Sequence, residues 1–485
     1  MRLSRKHACM TVLRDTFGVS SFRPGQEQAA DVLLDYRDLL CILPTGAGKS
    51  LCWQLPAVML GGLTIVISPL IVLMHDQVRH LEEKGIPCVH LDSLMTPEER
   101  IAGIQRLSSG KAGILFIAPE RLDNAAFLRL CAQRQPSLVV VDEAHCVIQW
   151  GDSFRPAYQK IGTFIEQLAK RPVVCAMTAT ADHSLQKKII ASLGLHRPKR
   201  VIMPVERKNL HYQVVPTIQT NGAIQYALRS IPGKAVVFCR RRVRTEELST
   251  LLNDSGIPAA PYHAGLERDM RSQVLSDFVT GRIRVVTATS AFGMGVDVPD
   301  IRLIIHDHLP DNMIDYVQQS GRAGRDGQDS VCMLLFPAMD LLRFHTRCRR
   351  IHTQNKGHRF KAYWMIHQEW LPFRRVLQWC LTERCLSQGI SAFFAQKSAP
   401  CGHCSACLKQ HVWRKVPDIP RMSSEKLYLW ILQLHRDELA LSFPKAAQAT
   451  DAQLCKIANT EKLPDDLPFR STYLPYLRLF RYHVK

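Results

Sequence analysis

The chain has 485 residues, 46% of them apolar and 22% charged. These are ordinary globular proportions, and they exclude a mainly disordered or fibrous polymer. At roughly 150 residues per domain the length predicts about three domains and excludes a lone small module. Lys and Arg number 63 against 43 Asp and Glu, a formal charge of +20.

The excess charge is uneven. Residues 1–340 hold 39 basic and 33 acidic side chains, whereas residues 341–485 hold 24 and 10. The last third is therefore the basic part, and a basic block implies a polyanionic partner, most often nucleic acid. No run reaches about 18 unbroken apolar residues, so no membrane span is expected. Met1–Gly18 has only a short apolar stretch before Arg14 and Asp15, so no signal peptide is expected. Sixteen cysteines, most of them single and in apolar surroundings as at Cys41, Cys175 and Cys239, fit a reducing compartment.

Short apolar runs rich in Val and Ile alternate with helix-like segments from about residue 38 to 335. The first series is Leu39–Leu43, Thr64–Ser68, Ile114–Ala118, Leu138–Val141 and Val173–Met177. The second is Ala235–Cys239, Ala259–Tyr262, Val285–Ala288, Leu303–His306 and Val331–Phe336. Such runs predict parallel strands covered on both faces, and alternation with helices predicts an α/β fold. The polar stretch Arg197–Pro216 separates the two series, which places α/β domains at 1–203 and 204–340. After residue 340 the strand pattern stops. A helical stretch with a cysteine cluster is expected over 341–410, and a helical basic tail over 411–485.

The first strand runs into Pro44-Thr45-Gly46-Ala47-Gly48-Lys49-Ser50 and then a helix-like stretch. Small residues at that turn let backbone N–H groups close around phosphate at a helix N-terminus. Lys49 is expected to reach the β- and γ-phosphates of a nucleotide, and the Ser50 hydroxyl to hold Mg²⁺. Leu43 stands where the strict pattern has its first glycine. The strand Leu138–Val141 delivers Asp142-Glu143-Ala144-His145 at its carboxyl end, where ligands bind in open α/β sheets. Asp142 is expected to hold Mg²⁺, Glu143 to polarise the attacking water, and His145 to link this site to a neighbouring domain. In the second series, Gln318-Gln319-Ser320-Gly321-Arg322-Ala323-Gly324-Arg325-Asp326-Gly327 sets two arginines three apart. Guanidinium groups fork onto phosphate oxygens, and an arginine reaching across a cleft stabilises a transferring phosphoryl group.

Cys401-x-x-Cys404-x-x-Cys407 is preceded by Cys385. Four thiolates satisfy tetrahedral Zn²⁺, and the short spacing lets one knuckle supply three of them. Cys380 and His403 compete as ligands, and the site reads as structural.

Together these pieces resemble a superfamily 2 helicase, and within it the RecQ family of ATP-dependent DNA helicases, over about residues 15–408. Phe17-Gly18 with Phe22-Arg23-Pro24-Gly25-Gln26-Glu27-Gln28 resembles that family's adenine-recognition motif, which implies that Gln26 reads the adenine edge and Arg23 packs beside it. Thr45, Gly46, Ala47, Gly48, Lys49 and Ser50 are then the phosphate loop. Ser68–Gln77 resembles motif Ia, Thr178-Ala179-Thr180-Ala181 motif III, Val236–Arg240 motif IV, and Ala291–Asp297 with Thr287-Ala288-Thr289 motif V. Tyr262-His263-Ala264-Gly265 resembles a motif that meets DNA, so His263 and Thr289 are candidate DNA contacts. Gln149–Pro156 resembles the family's aromatic-rich loop, which implies that Trp150 and Phe154 stack on unpaired bases while Arg155 holds the backbone.

The cysteine cluster, with Phe393-Phe394 upstream, resembles the family's zinc module fused to a DNA-carrying helical hairpin; Cys385 is preferred as fourth ligand because its distance to the aromatic pair fits. The resemblance implies two tandem RecA-like parallel-sheet domains and a 3′-to-5′ helicase using ATP, Mg²⁺ and Zn²⁺. It further implies single-stranded and tailed duplex DNA as partners, and a role in DNA repair and recombination. A monomer is expected, nucleoid-associated in the cytoplasm of a bacterium or nuclear in a eukaryote, with no membrane association.

Three segments depart from the family pattern: Asp152-Ser153 after Trp-Gly, Gln319 where Glu is usual, and Val205-Glu206-Arg207-Lys208-Asn209-Leu210 between the α/β domains. Only 78 residues follow Cys407, too few for the usual winged helix beside anything else. Lys426–Lys485, with Arg436–Ala440, weakly resembles the family's helical HRDC module and equally fits a generic amphipathic bundle.

Overall fold

The structure is a computed structural model describing residues 2–44, 46–69, 71–92, 95–147, 156–217, 219–292, 298–412, 414–442, 446–460 and 462–483. The chain divides into two compact units, residues 1–205 with 394–396, and residues 206–393 with 397–485.

The first unit carries seven strands: β1 Leu39–Ile42, β2 Leu63–Ile67, β3 Cys88–Leu91, β4 Ile114–Ile117, β5 Pro136–Val141, β6 Val173–Thr178 and β7 Lys199–Ile202. They lie in the order β3-β4-β2-β5-β6-β1-β7, and every pairing is parallel. The central strands are buried along their whole length, as β1, β2, β4 and β6 are. That is the physical origin of their unbroken apolar runs, since helices cover both faces. The order places β5 and β1 on either side of β6, so the carboxyl ends of all three open on one edge of the sheet. At the opposite end, the buried carboxylate of Asp38 takes a bidentate ion pair from Arg171, at 3.1 and 2.7 Å, and backbone N–H groups from Val174 and His196. A buried carboxylate is tolerated when its acceptor sites are filled in this way.

The second unit carries β8 Leu210–Thr217, β9 Lys234–Phe238, β10 Ala259–Tyr262, β11 Val285–Ala288, β12 Ile301–His306 and β13 Ser330–Pro337. Their order is β10-β11-β9-β12-β13-β8, again all parallel. Two parallel-sheet α/β domains are therefore present, as the alternating pattern implies, and they fit the RecA-like pair that the family resemblance implies. The polar stretch at 197–216 is not a plain linker: it contains β7, which closes the first sheet, and all but the last residue of β8, which closes the second.

After β13, helices take over: Ala338–Gln354, Arg359–Cys380, Leu386–Phe393, Ser424–Ser442, Asp451–Thr460 and Arg470–His483. The first two pack as a hairpin, and the tail helix Ser424–Ser442 rests on Ala338–Gln354 and β8. Leu427, Tyr428, Ile431 and Leu432 form its buried stripe. Among the described residues no strand follows β13, and no helix is long and apolar enough to cross a membrane.

Candidate nucleotide site and cysteine cluster

The glycine-rich turn lies between β1 and the helix Leu51–Leu60. Gly46 and Gly48 have φ of 82° and 76°, the left-handed region that side chains disfavour. A Cβ on Gly48 would also stand 2.5 Å from Gln26 Nε2. Leu43, in the place of the usual first glycine, is fully buried, and its N–H donates to Thr178 at 3.2 Å. It prolongs the strand into the core and leaves the later glycines to make the turn. Lys49 is half-buried, with Nζ 3.4 Å from the carbonyl of Leu43. Ser50 has helical dihedrals at the start of the helix. Thr45 lies outside the described residues.

Two residues upstream grip this turn. The Gln26 side-chain amide donates to the carbonyls of Gly48 at 2.9 Å and Ala47 at 3.2 Å, and its oxygen accepts from the Arg23 N–H at 2.8 Å. Arg23 Nη1 donates to the Gly46 carbonyl at 2.8 Å. Both residues therefore meet the glycine-rich turn itself, a relation that a separation of more than twenty residues concealed.

The acidic pair stands beyond the end of β5. Asp142 is buried, its N–H donates to Ile67, and its carboxylate accepts the Glu143 N–H at 2.9 Å. Burial, then the charge of Glu143, pushes the Asp142 carboxyl up to about 7, while Lys49 pulls the other way. Glu143 itself has φ 46°, in the left-handed region that side chains disfavour. His145 Nδ1 lies 3.2 Å from Glu143 Oε2 and 3.0 Å from Thr178 Oγ1. Burial opposes charge on His145, but hydrogen bonds to Cys146 and Glu143 raise it to about 10. Thr178 in turn donates to the carbonyl of Thr180 at 3.1 Å, and Tyr158 OH donates to the carbonyl of Asp142 at 3.1 Å. His145 thus links the acidic pair to Thr178–Thr180 inside the first unit, by contacts not legible in the sequence.

In the second unit, Arg322 is buried and Arg325 half-buried on the turn after the helix Met313–Ser320. That turn is clamped by the two polar residues before β8. Asn209 Nδ2 donates to the carbonyls of Gly324 at 2.9 Å and Gln328 at 2.8 Å. Arg207 Nη2 donates to Gly324 at 2.6 Å. Gly324 has φ 53°, and a Cβ there would stand 2.5 Å from Asn209 Nδ2 and 2.6 Å from the Gln328 oxygen. The departure Gln319 has a local partner: its Oε1 lies 2.8 Å from His306 Nε2, inside a site where burial, then His308, holds His306 down to about 3.

The two DNA-contact candidates described here are engaged internally. His263 is buried, with Nε2 3.0 Å from Glu246 and Nδ1 accepting the Gly265 N–H at 3.2 Å. Thr289 Oγ1 accepts the Ala291 N–H at 3.4 Å. Trp150, Phe154, Arg155 and the 293–297 stretch lie outside the described residues.

Cys385, Cys401, Cys404 and Cys407 converge, with one ligand atom from each within 4.8 Å of the others. Cys385 Sγ is 3.5 Å from Cys401 Sγ and 3.9 Å from Cys404 Sγ. A tetrahedral ion with bonds of about 2.3 Å sets its sulfurs roughly 3.8 Å apart. Backbone N–H groups point at the sulfurs: Leu386 and Cys407 at Cys404 (3.3 and 3.4 Å), Cys401 and Gln388 at Cys385 (3.2 and 3.5 Å). Against the effect of burial, the Cys407 and Leu386 bonds lower the Cys404 thiol. The competing ligands fall elsewhere. Cys380 is buried in its helix, and the His403 ring stacks on His211 at 4.1 Å. Ser405 fastens the cluster to β8 through Tyr212 and Val214, at 3.0 and 3.3 Å.

Residues 23–188 match the family model of the DEAD/DEAH box helicases, and residues 219–327 match the helicase conserved C-terminal domain. The chain is 36% identical to the ATP-dependent DNA helicase RecQ of Bacillus subtilis, over 83% of this chain and 67% of that protein. It is 32% identical to the RecQ helicase of Synechocystis, over 82% of this chain and 97% of the other. Among solved structures, the Mycobacterium smegmatis helicase Lhr bound to ssDNA and AMP-PNP shares the fold, with a TM-score of 0.54 and 22% identity over 70% of this chain and 49% of that one. The chain belongs to the RecQ family of ATP-dependent DNA helicases.

Proposed function

We propose that this chain is itself an ATP-dependent DNA helicase that moves 3′ to 5′ on single-stranded DNA and separates duplex ahead of it, in the service of DNA repair and recombination. The observation that carries the reading is the meeting of the glycine turn after β1 with Asp142-Glu143 after β5, on strands separated only by β6. Parallel strands open a ligand site at their carboxyl ends. The donors there fit a nucleotide with Mg²⁺: two glycines in left-handed geometry, an ammonium, a hydroxyl at a helix start and a buried carboxylate.

Lys49 binds the β- and γ-phosphates, with backbone from Thr45, Gly46, Ala47 and Gly48. Ser50 and Asp142 hold Mg²⁺, which supplies charge neutralisation at the phosphates. Glu143 orients and deprotonates the attacking water. Gln26 and Arg23 recognise the adenine, and Arg322 and Arg325 from the second domain neutralise the γ-phosphate. Trp150, Phe154, Arg155, His263 and Thr289 engage DNA. Cys385, Cys401, Cys404 and Cys407 hold a structural Zn²⁺, which the sulfur spacing supports. The domains are taken as 1–203, 204–340, 341–410 and 411–485, acting as a monomer, with the last region HRDC-like.

The basic hairpin supports the polyanion side of the reading. Residues 341–368 carry seven Lys and Arg and no carboxylate. ATP hydrolysis with and without single-stranded DNA, beside unwinding of a 3′-tailed duplex, tests the proposal. Stimulated hydrolysis with strand release is expected. Stimulation without release makes the chain a translocase, and no hydrolysis overturns the reading. Lys49→Ala should abolish hydrolysis and leave DNA binding mostly intact.

A further inference from the structure

A second cluster of metal-binding groups lies in the first unit, away from the cysteines. His75 stands on the helix Ile71–Glu83, His90 on β3, and Asp92 just beyond its end. One ligand atom from each lies within 4.8 Å of the other two. Asp92 Oδ2 is 2.5 Å from His75 Nε2 and 3.7 Å from His90 Nε2, so one carboxylate oxygen faces both imidazoles. The two rings are 4.2 Å apart, tilted by 48°. The carboxylate is fully buried, while each imidazole keeps 26% exposure. The cluster is therefore closed below and open to water on one side.

Hydrogen bonding alone does not account for this convergence. A contact of 3.7 Å is too long to be a hydrogen bond, and among the described residues the His90 ring closes none. Zinc with ligands at about 2.0–2.1 Å spaces its donors roughly 3.3–3.4 Å apart. The two measured separations, 2.5 and 3.7 Å, straddle that spacing, so the first must open by roughly 0.8–0.9 Å and the second close by roughly 0.3–0.4 Å to seat an ion. Two imidazoles with one carboxylate form a borderline donor set suited to zinc-like divalent ions. Mg²⁺ and Ca²⁺ demand oxygen ligands throughout. The elements that supply the donors also adjoin in the fold, because Ile71–Glu83 packs on β3.

We propose that His75, His90 and Asp92 form a second divalent transition-metal site, of the zinc class, with three protein ligands and a fourth position open to solvent. The ion clamps the helix after β2 to the end of β3. The cysteine cluster is the same in wild type and in variants of His90 or Asp92, so any zinc it holds cancels from the comparison.

The full-length protein is incubated with Zn²⁺, dialysed against metal-free buffer, and its zinc counted by mass spectrometry. Wild type is expected to hold one more zinc per chain than His90→Ala or Asp92→Asn, the latter keeping the shape and a hydrogen-bonding side chain. Equal counts in all three overturn the proposal. Co²⁺ titration gives a reading on the unaltered protein, independent of whether a variant folds. Weak d–d absorption without thiolate charge transfer, saturating at one equivalent separately from any thiolate bands, supports the site. Cobalt absorption confined to thiolate bands, or none, overturns it. Zinc should also raise the melting temperature of wild type more than that of Asp92→Asn; an equal shift in both counts against the clamp.

Discussion

The side-chain amide of Gln26 donates to the carbonyl oxygen of Gly48, the second glycine of the turn after β1. Gln26 is almost wholly buried, and Arg23 grips the first glycine in the same way. The residue proposed to read the base is thus bonded to the loop proposed to hold the phosphates. Each such hydrogen bond contributes about 1 kcal/mol, and orphaning a buried partner costs somewhat more. Gln26→Ala should raise the KM for ATP roughly tenfold and narrow any preference for ATP over GTP. Gln26→Glu should do worse, since a carboxylate cannot donate to the two carbonyls. Steady-state hydrolysis with both nucleotides measures this, and an unchanged KM in Gln26→Ala would refute the link.

Asn209 and Arg207 act on the arginine turn through Gly324. Neither is placed on the nucleotide here; both are positioning residues for Arg322 and Arg325. Asn209→Ala removes two hydrogen bonds to backbone carbonyls, a loss of about 2–3 kcal/mol in local stability. If the arginines serve the transferring phosphate, kcat for hydrolysis should fall roughly tenfold while the KM for ATP stays within about twofold. A rise in KM with kcat unchanged would assign the turn to ground-state binding instead.

How much of this was legible follows from burial. The central strands announce themselves because both faces are covered, as in the wholly buried β1 and β4. Three of the four edge strands, β3, β7 and β8, escape because their composition is mixed, whereas the fourth, β10, carries an apolar run and is legible. Lys199–Ile202 buries only Val201, and Leu210–Thr217 alternates. Chemistry borne by consecutive residues, as in Gly46–Ser50 or Cys401–Cys407, survives in the sequence. Chemistry assembled by folding does not. Arg207 meets Gly324 across 117 positions, and His75 meets Asp92 from a helix onto a strand end. The departure at Gln319 becomes intelligible only once its partner is seen to be the buried His306.

That pair makes a prediction about pH. Burial, then the neighbouring His308, lowers His306 from 6.5 to about 3, so the folded protein binds its proton less readily than the unfolded chain. Its contribution is therefore fully present above pH 6.5 and is lost as pH falls from 6.5 toward 3. His411, held down to about 4 chiefly by burial, acts in the same direction. Between pH 6 and 5, each neutral-buried histidine contributes a slope of about 1.4 kcal/mol per pH unit. His306→Gln should flatten the decline in stability over that interval by about that slope, read by denaturant melts at each pH. Gln319→Glu should flatten it too, because a carboxylate beside Nε2 favours the imidazolium. An unaltered slope in both variants would show that His306 does not titrate with unfolding.

The tip of the helical hairpin offers the last test. Phe360 is 83% exposed, Tyr363 50% and Trp364 47%, on the first turns of the helix Arg359–Cys380. The Arg421 guanidinium lies 6.0 Å from the Tyr363 ring centre, and Lys356, Arg359 and Lys361 flank the group. Large aromatics left in water among cations have the form of a stacking platform for unpaired bases, at about 1–3 kcal/mol per stacked base. Phe360→Ala and Trp364→Ala should each weaken single-stranded DNA binding roughly five- to a hundredfold; melting temperature should stay nearly unchanged in Phe360→Ala, whose ring buries little, and fall somewhat in Trp364→Ala, whose ring is half-buried. The salt dependence of affinity should keep its slope in these variants. Replacing Lys356, Arg359 and Lys361 by Gln should instead reduce that slope, since each lost phosphate contact releases fewer counterions. Fluorescence anisotropy at two salt concentrations separates the terms. Full affinity in the double aromatic variant would remove the hairpin tip from the DNA path and leave its charge as a solvated surface.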